Sequence, residues 1–316
     1  MITNRSYNSR TLVWGICILS IAVFFQNCAN AEDIDFDLVE LAEGYYVHRG
    51  VTVPFDHPNH DDIANIGFIV GSKCIAVIDT GGSLAVGRAL RAAIQRTTTL
   101  PICYVINTHV HPDHILGNAV FEKDDPVFIG HKNLPRAIAD NREFFLENFS
   151  SDLEGSNDPM VIVAPELTVD GDMELDLGGR VVRLKAHPVA HTDQDLSVFD
   201  LNTMTLWLGF LFIERIPALD GSIRGWIEVM NEMRNVPAER VIPGNGPAPA
   251  LWPQASDSQQ RYLQLLVDEI RKLIAQNKFL EDALEAVGYS EQSRWLLFDQ
   301  HHKSNVIRAF AELEWE

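Results

Sequence analysis

Residues 102–114 have the sequence Ile-Cys-Tyr-Val-Ile-Asn-Thr-His-Val-His-Pro-Asp-His, in which an apolar run leads directly into three histidines and an aspartate. The apolar part is typical of a strand that is buried on both faces. The histidines and Asp113 follow the end of this strand. Imidazole and carboxylate groups are ligands that Zn²⁺ accepts in proteins, so the run predicts a metal site at a strand end.

The spacing of the candidate ligands is compatible with convergence on one ion. His109 and His111 are two residues apart, so both rings can point to the same side of an extended loop. Asp113 and His114 follow a proline, which re-aims the chain. His191, at a later strand boundary, is the fifth candidate ligand.

Strands and helices alternate in the first half of the chain. Residues 67–71 and 74–82 are predicted to form two strands, and residues 84–96 have apolar side chains roughly at helical spacing. The strand that ends at Asn107 and a further strand at residues 126–130 follow. Strand–helix–strand units of this kind favour an α/β core with parallel pairing.

The second half of the chain is richer in strands. Residues 167–175 alternate around an Asp-Gly pair, Asp170-Gly171, which predicts a hairpin. Further strands are predicted at residues 180–186, 196–200, 205–209 and 240–243, and helices at residues 222–234, 257–288 (a pair) and 305–314. Two β-rich halves, each flanked by helices, predict an α/β fold, a four-layer αββα sandwich with a C-terminal helical extension.

The N-terminal residues 1–31 have the pattern of a secretory signal peptide. Arg5 and Arg10 form its positive region, residues 12–25 form its apolar region, and a small-x-small cleavage site ends at Ala31. We therefore expect cleavage near Ala31 and a periplasmic or secreted protein with no membrane attachment afterwards. An uncleaved anchor is the alternative.

The remaining chain is long enough to bury a full core, and it is predicted to consist of a metal-binding domain at residues 32–250 and the helical extension at residues 251–316. The full chain carries a net charge of −19, and loss of residues 1–31 removes two arginines and no acidic residue, so the charge falls to −21. Such an acidic protein is a poor partner for nucleic acid or for an anionic membrane surface. The expected partner is a small-molecule substrate, and the composition leaves the oligomeric state open.

Two of the four cysteines, Cys74 and Cys103, lie outside the predicted signal peptide. Both belong to apolar, strand-like runs. They can be buried free thiols, or they can form a disulfide, which an oxidising compartment permits and which geometry decides.

Three motifs carry a family resemblance. A strand is followed by Asp79-Thr80-Gly81-Gly82, residues 108–114 have the form Thr-His-x-His-x-Asp-His, and residues 190–195 have the form Ala-His-Thr-Asp-x-Asp. Together they resemble the metallo-β-lactamase superfamily of metallohydrolases. Within this superfamily, the signal peptide and three further segments resemble the exported quinoprotein relay system zinc metallohydrolases. The segments are residues 61–68, 219–222 and 311–316.

The resemblance implies a first zinc bound by three imidazoles, with water in the fourth position. Its ligands would be His109, His111 and His191. Asp113 and His114 would belong to a second metal. The family takes the remaining ligands of that metal from a strand Gly-Asp pair and from a Pro-Gly-His-Gly turn.

Both of those remaining ligands are replaced in this chain. Gly209 is followed by Phe210, which cannot ligate, and the turn has Asn245 in place of histidine. A neutral amide oxygen is a poor zinc ligand beside imidazole, so one zinc is expected. His114 can then hydrogen-bond a carboxylate without touching a metal. Asp113 can take part in catalysis, or it can cap the following helix.

The leading hypothesis is an exported zinc-dependent hydrolase that acts on an ester, thioester, lactone or amide. Asp113, without a second metal to bind, can orient the attacking water or act as a general base. The alternative is a metal-binding or interaction protein that keeps the fold and has lost turnover, because Phe210 and Asn245 replace two ligands. The subfamily resemblance disfavours a β-lactamase, whereas an iron-dependent dioxygenase is compatible with the same imidazole ligands.

Other polar residues have more ordinary interpretations. Asp79 and the turn after it are expected to shape the loop beneath the metal. Residues 56–62 can line the mouth of the site, and Asp220 is either a substitute carboxylate or a turn residue. His301 and His302 are expected to be a solvated pair.

Overall fold

The structure is a computed structural model that describes residues 1–2, 36–156 and 158–316. The predicted signal peptide and its cleavage site near Ala31 lie outside the described residues, apart from the first two, and stay predictions. The second of the two units into which the chain divides, Ile34–Glu316, carries the fold described below.

Seven strands form the first sheet, and they are neighbours in the order in which they follow along the chain. The strands are Leu38–Ala42 (β1), Tyr45–His48 (β2), Ile66–Val70 (β3), Ile75–Ile78 (β4), Ile102–Ile106 (β5), Val127–His131 (β6) and Leu167–Val169 (β7). The pairs from β1 to β4 are antiparallel, and the pairs from β4 to β7 are parallel. The predicted parallel pairing is therefore confirmed at the strand that leads into the histidine run.

Six strands form the second sheet. In chain order they are Asp172–Asp176 (β8), Val181–Ala186 (β9), Leu196–Asp200 (β10), Thr205–Phe212 (β11), Arg240–Asn245 (β12) and Ala250–Leu251 (β13). They are neighbours in the same order, with β11 and β12 parallel and the other pairs antiparallel.

The predicted hairpin around Asp170-Gly171 is wrong. β7 joins β6 in the first sheet, whereas β8 joins β9 in the second sheet. The chain does turn here, with Gly171 at a φ of +102°, but the turn carries it from one sheet to the other. A local turn signal cannot distinguish a hairpin from such a crossing, because glycine supplies the positive φ in both.

The core lies between the two sheets, whose inner faces pack against each other. Tyr45, Ile78 and Ile106 of the first sheet share a buried cluster with Val198 and Trp207 of the second. Helices cover both outer faces, so the four predicted αββα layers are confirmed. The helices are Leu84–Thr97 (α1), Pro112–Ile115 (α2), Leu134–Asn148 (α3), Ile223–Met233 (α4), Asp257–Ala275 (α5), Leu280–Ala286 (α6) and Phe298–Leu313 (α7). Short 3₁₀ turns lie at Asn118–Asp124, Pro159–Val161, Gln254–Ser256 and Tyr289–Arg294.

The helices after residue 250 pack on the outer face of the second sheet. Trp226 of α4, Tyr262 of α5 and Phe310 of α7 belong to one buried cluster that also contains residues of β11. The extension therefore shares a core with the second sheet, and the domain boundary after residue 250 stays a prediction. Of the helices in the described part of the chain, none is both long and apolar enough to cross a membrane.

α7 begins at Phe298, well before the predicted start at residue 305, and it includes both neighbouring histidines. His302 is 2% exposed, and its ring stacks on that of Phe298 with centroids 4.0 Å apart. The expectation that His301 and His302 form a solvated pair is therefore wrong. Adjacent helix positions point about 100° apart, so His302 enters the core while His301 lines a cavity.

Cys74 and Cys103 form a disulfide between neighbouring strands. Cys74 directly precedes β4, Cys103 lies in β5, and their Cα atoms are 5.7 Å apart, a usual separation for this bond. Of the two alternatives that the sequence left open, the structure has the cross-linked one.

Replacing both cysteines by serine should lower the stability. The disulfide joins residues 29 apart, so the chain-entropy argument predicts a loss of about 3–4 kcal/mol in the free energy of unfolding. Denaturant unfolding of the oxidised protein and of the Cys74→Ser, Cys103→Ser double variant measures the difference. Equal midpoints for the two proteins would contradict the pairing.

Candidate metal centre

Three imidazole nitrogens converge at the strand ends. His109 and His111 lie in the loop after β5, and His191 lies in the loop before β10. His111 Nδ1 is 3.1 Å from His109 Nε2 and 3.1 Å from His191 Nε2. Nitrogens bound to one tetrahedral Zn²⁺ lie about 3.4 Å apart, because each Zn–N bond is about 2.0–2.1 Å long. The structure thus brings the three candidate ligands together in an arrangement that one ion can occupy.

The outer nitrogen of each ring is held by a hydrogen bond, which sets the tautomer. The bonds run from His109 Nδ1 to Thr108 Oγ1 (3.0 Å), from His111 Nε2 to Asp220 Oδ2 (2.8 Å) and from His191 Nδ1 to the carbonyl of Ala218 (2.6 Å). The inner nitrogens face one another and are the ones left to bind a metal. Such outer bonds are characteristic of metal-binding histidines, because they fix the ring orientation and raise the basicity of the ligand.

Burial keeps two of these rings neutral. His109 and His191 are completely buried, and burial together with the neighbouring rings holds their pKa values well below 6.5. Neutral imidazole is the form that binds a metal. The three convergent nitrogens fit a tetrahedral metal site to which the protein supplies three ligands.

Asp79 holds the histidine loop from beneath, as the sequence predicted. Its buried carboxylate accepts hydrogen bonds from the backbone N–H and the hydroxyl of Thr108 (both 2.8 Å) and from His114 Nδ1 (2.7 Å). Since Thr108 Oγ1 donates to Asp79, it is free to accept from His109. The carboxylate therefore determines, through Thr108, which nitrogen of His109 faces the metal.

His114 lies between two carboxylates. Its Nδ1 is 2.7 Å from Asp79 Oδ2, and its Nε2 is 3.4 Å from Asp113 Oδ2. Burial lowers the pKa of His114, but Asp113 and Asp79 outweigh burial and raise the pKa to about 10, so the ring is a cation. His114 does hydrogen-bond a carboxylate, as one alternative predicted, and whether the ring also binds a metal stays a prediction.

Asn245 presents a donor where a second metal would need a ligand. Its Nδ2 is 2.8 Å from the carbonyl oxygen of Ile63 and 3.3 Å from Asp113 Oδ2. Burial would raise the pKa of Asp113, but the charge of His114 lowers it well below the ordinary value. Asp113 is thus ionised and is contacted by the cationic ring of His114 and by the amide N–H of Asn245, and these contacts do not fit a second ion at Asp113.

The phenylalanine beside the centre is Phe212 and not Phe210. Phe210 is completely buried away from the cavity, with its ring centroid 5.2 Å from that of His187. The ring of Phe212 is 5.2 Å from His191 and lines the cavity. The register between β11 and β12 shifts between Leu208 and Phe212, and such a shift changes which residues face a given side. The alternation of the strand sequence could not reveal it.

The loop at residues 217–223 supplies two of the outer acceptors, and α7 holds this loop in place. The contacts from α7 are Asn305 with the N–H of Leu219 (2.9 Å) and the carbonyl of Pro217 (2.8 Å), Arg308 with Asp220 (2.8 Å), and Glu312 with Ser222 Oγ and the N–H of Ile223 (both 2.8 Å). Asp220 therefore bridges α7 and a metal ligand. No local motif marks this role, because the partners are far apart in the chain.

A cavity of about 520 Å³ opens beside His111, a volume that suits a small organic molecule. His60, from the segment predicted to line the mouth, does line it and is held by Asp152 at 3.2 Å. Arg215 also lines it, and no sequence motif indicates that this residue belongs to the site. The aromatic part of the lining consists of Phe55, Phe144, Phe149 and Phe212.

Two face-to-face sheets between helical layers, with three imidazoles converging at the strand ends, define a metal-binding αββα sandwich. A sequence profile of the metallo-beta-lactamase superfamily matches residues 61–245, which is more than half of the chain. The chain belongs to this superfamily, so that part of the resemblance is confirmed. Membership of the quinoprotein relay subfamily stays a prediction.

Solved structures with a similar fold carry the names of two kinds of hydrolase. They include a metallo-beta-lactamase from Pontibacter korlensis (16% identity, 72% of this chain and 99% of that one, TM-score 0.59) and the sec-alkylsulfatase Pisa1 from Pseudomonas sp. (14% identity, 88% of this chain and 50% of that one, TM-score 0.65). At these identities the likeness establishes the fold alone. A comparison with curated protein sequences found no match.

The substitution Asp220→Ala should weaken zinc binding by about 10–100-fold, because it removes the acceptor that orients His111. Competition with a chelating dye measures the dissociation constant. Asp140→Ala, which removes an exposed carboxylate on α3, is the matched control and should bind zinc as the wild type does. Equal affinities for the Asp220→Ala variant and the wild type would show that Asp220 does not position His111.

Proposed function

We propose that this protein is a zinc-dependent hydrolase that uses activated water on an ester, thioester, lactone or amide. The observation that carries the proposal is the convergence of three imidazole nitrogens, each ring held by an outer hydrogen bond, beside a cavity large enough for a small substrate. Membership of a superfamily that includes metal-dependent hydrolases supports it. The names of the similar structures, lactamase and alkylsulfatase, agree with this reaction class.

The zinc ion, when bound by the three histidines, supplies the Lewis acidity that makes water nucleophilic near neutral pH. Asp113 lines the cavity, and its carboxylate can accept a hydrogen bond from the attacking water and orient it. The contacts of Asp113 with His114 and Asn245 favour this orienting role over that of a general base, because both donors stabilise the ionised carboxylate.

We further propose that the protein is exported and belongs to the quinoprotein relay system zinc metallohydrolases. The proposal rests on the signal-like residues 1–31 and on the subfamily-like segments at residues 61–68, 219–222 and 311–316. The disulfide supports export, because oxidising compartments favour such cross-links.

Fusion of residues 1–31 to a reporter phosphatase that is active only after export tests the localisation. We expect an active fusion, because these residues contain the three regions of a signal peptide. A fusion in which aspartates replace two residues of the apolar region is the control and should be inactive. An inactive fusion of the natural segment would contradict export.

A second candidate function is metal binding without turnover. The contact of Asn245 with Asp113 favours it, because a hydrogen-bond donor stands where a dinuclear hydrolase needs a ligand. This candidate predicts the same zinc content as the first, and no hydrolysis of any substrate.

Purified protein should bind one zinc ion per chain, and His109→Ala should abolish this binding together with turnover, since two imidazoles leave the site incomplete. Mass spectrometry of the metal measures occupancy, and a panel of esters, thioesters, lactones, amides and β-lactams measures turnover. Asp140→Ala, which removes an exposed carboxylate on α3, should change neither quantity. Two zinc ions per chain would refute our account of the second site.

Asp113→Asn in the same assays separates metal binding from catalysis. The zinc content should stay that of the wild type, whereas kcat should fall by about 10²-fold, the order of loss that follows when a reacting group is poorly oriented. Loss of zinc would instead identify Asp113 as a ligand. Wild-type protein with one zinc and no turnover would favour the second candidate.

A further inference from the structure

A buried arginine without a partner faces the cavity beside the metal centre. Arg215 is 4% exposed, and its Nε and Nη1 atoms are buried with no hydrogen-bond partner among the described residues. Its guanidinium carbon lies 5.5 Å from the ring centroid of Phe55, so the group packs against an aromatic face. Because a guanidinium does not lose its proton in proteins, burial without a partner leaves a costly charge.

The backbone on both sides of Arg215 is fixed. Arg215 forms a parallel β-bridge with Leu296, which lies two residues before the start of α7. The N–H of Leu296 donates to the carbonyl of Glu214 (2.7 Å), and the carbonyl of Leu296 accepts from the N–H of Ile216 (3.0 Å). The guanidinium is therefore presented to the cavity from a rigid segment.

The neighbouring carboxylates have other partners. Asp113 pairs with His114, and Asp220 pairs with Arg308. Within the part of the chain that the structure describes, no carboxylate forms an ion pair with Arg215, although the charge of Asp113 is close enough to influence it. The positive charge is thus available to a ligand.

The rest of the cavity suits an apolar group. Phe55 and Phe144, on its lining, are 50% and 52% exposed, although aromatic side chains of this size are usually more buried. Phe149 and Phe212 continue the apolar wall. Exposed aromatic rings around one fixed positive charge fit a ligand with an apolar body and an anionic end.

We propose that Arg215 binds the oxyanion of the substrate, and that the substrate class is therefore an organic anion with an aromatic or alkyl body. The planar guanidinium can donate two parallel hydrogen bonds to a carboxylate or a sulfonate. Arg215 lines the same cavity as Asp113 and Asn245. The assignment of the ligand as a substrate rests on the proposed hydrolase function, whereas the anion site itself does not need turnover.

Isothermal titration calorimetry on the zinc-loaded full chain tests the site with 4-butylbenzoate, 4-butylbenzenesulfonate and the neutral 4-butylbenzyl alcohol. We expect at least one anion to bind more tightly than the alcohol. Arg215→Met should raise the dissociation constant of that anion by about tenfold or more, because a charge-assisted pair is lost. The dissociation constant of the alcohol should stay unchanged. The tighter of the two anions identifies the group that the site recognises.

Two variants control for charge and for folding. Arg215→Lys keeps the charge without the planar fork and should bind with intermediate affinity. Arg183→Met removes an exposed arginine of β9 and should bind as the wild type does. Circular dichroism and zinc content of each variant report whether the fold is retained.

A repeat titration after removal of zinc with a chelator separates Arg215 from the metal. Anion binding that depends on zinc and is unchanged in Arg215→Met overturns the proposal, and so does a wild type that binds neither anion. If the anions bind through Arg215 but no substrate is hydrolysed, the proposed function fails while the anion site stands.

Discussion

The buried carboxylate of Asp79 accepts three hydrogen bonds, two from Thr108 and one from His114, and these attach the end of β4 to the histidine loop. Burying a carboxylate costs free energy unless hydrogen-bond donors compensate for the lost water. Loss of any one of the three donors would therefore destabilise the folded protein. Through Thr108 the contact orients a metal-binding ring, and through His114 it reaches Asp113 on the cavity side. One buried charge thereby organises both the histidine cluster and the cavity side of the candidate centre.

Much of the fold was predictable from the sequence, because its strongest signals are local. Apolar runs such as residues 102–106 are buried strands, and the amphipathic run at residues 84–96 is α1. The errors arose where the outcome depends on distant partners. The Asp170-Gly171 turn is local, but whether β8 pairs with β7 depends on the rest of the second sheet. His302 is buried because α7 begins early and docks on Tyr262. The residues next to His302 in the sequence do not indicate this contact.

Much of the candidate site was also predictable from the sequence. The run from His109 to His114 concentrates its chemistry in a few adjacent residues, and His191 lies in a second compact motif. Phe212 could not be predicted, because a register shift in β11 decides its direction. Arg215 could not be predicted either, since the importance of an arginine depends on whether a partner reaches it. That property belongs to the packed chain and not to any stretch of sequence.

The contacts between α7 and the loop at residues 217–223 also join the centre to residues far along the chain. His109 and His111 precede Asn305, Arg308 and Glu312 by about two hundred residues, and His191 precedes them by about 120. These three residues of α7 hold two of the outer acceptors in place. Without α7, the acceptors of His111 and His191 would be held only by their own loop, so the two rings would be less firmly oriented toward a metal. Full ordering of the centre therefore requires the docking of a helix that follows it in the chain.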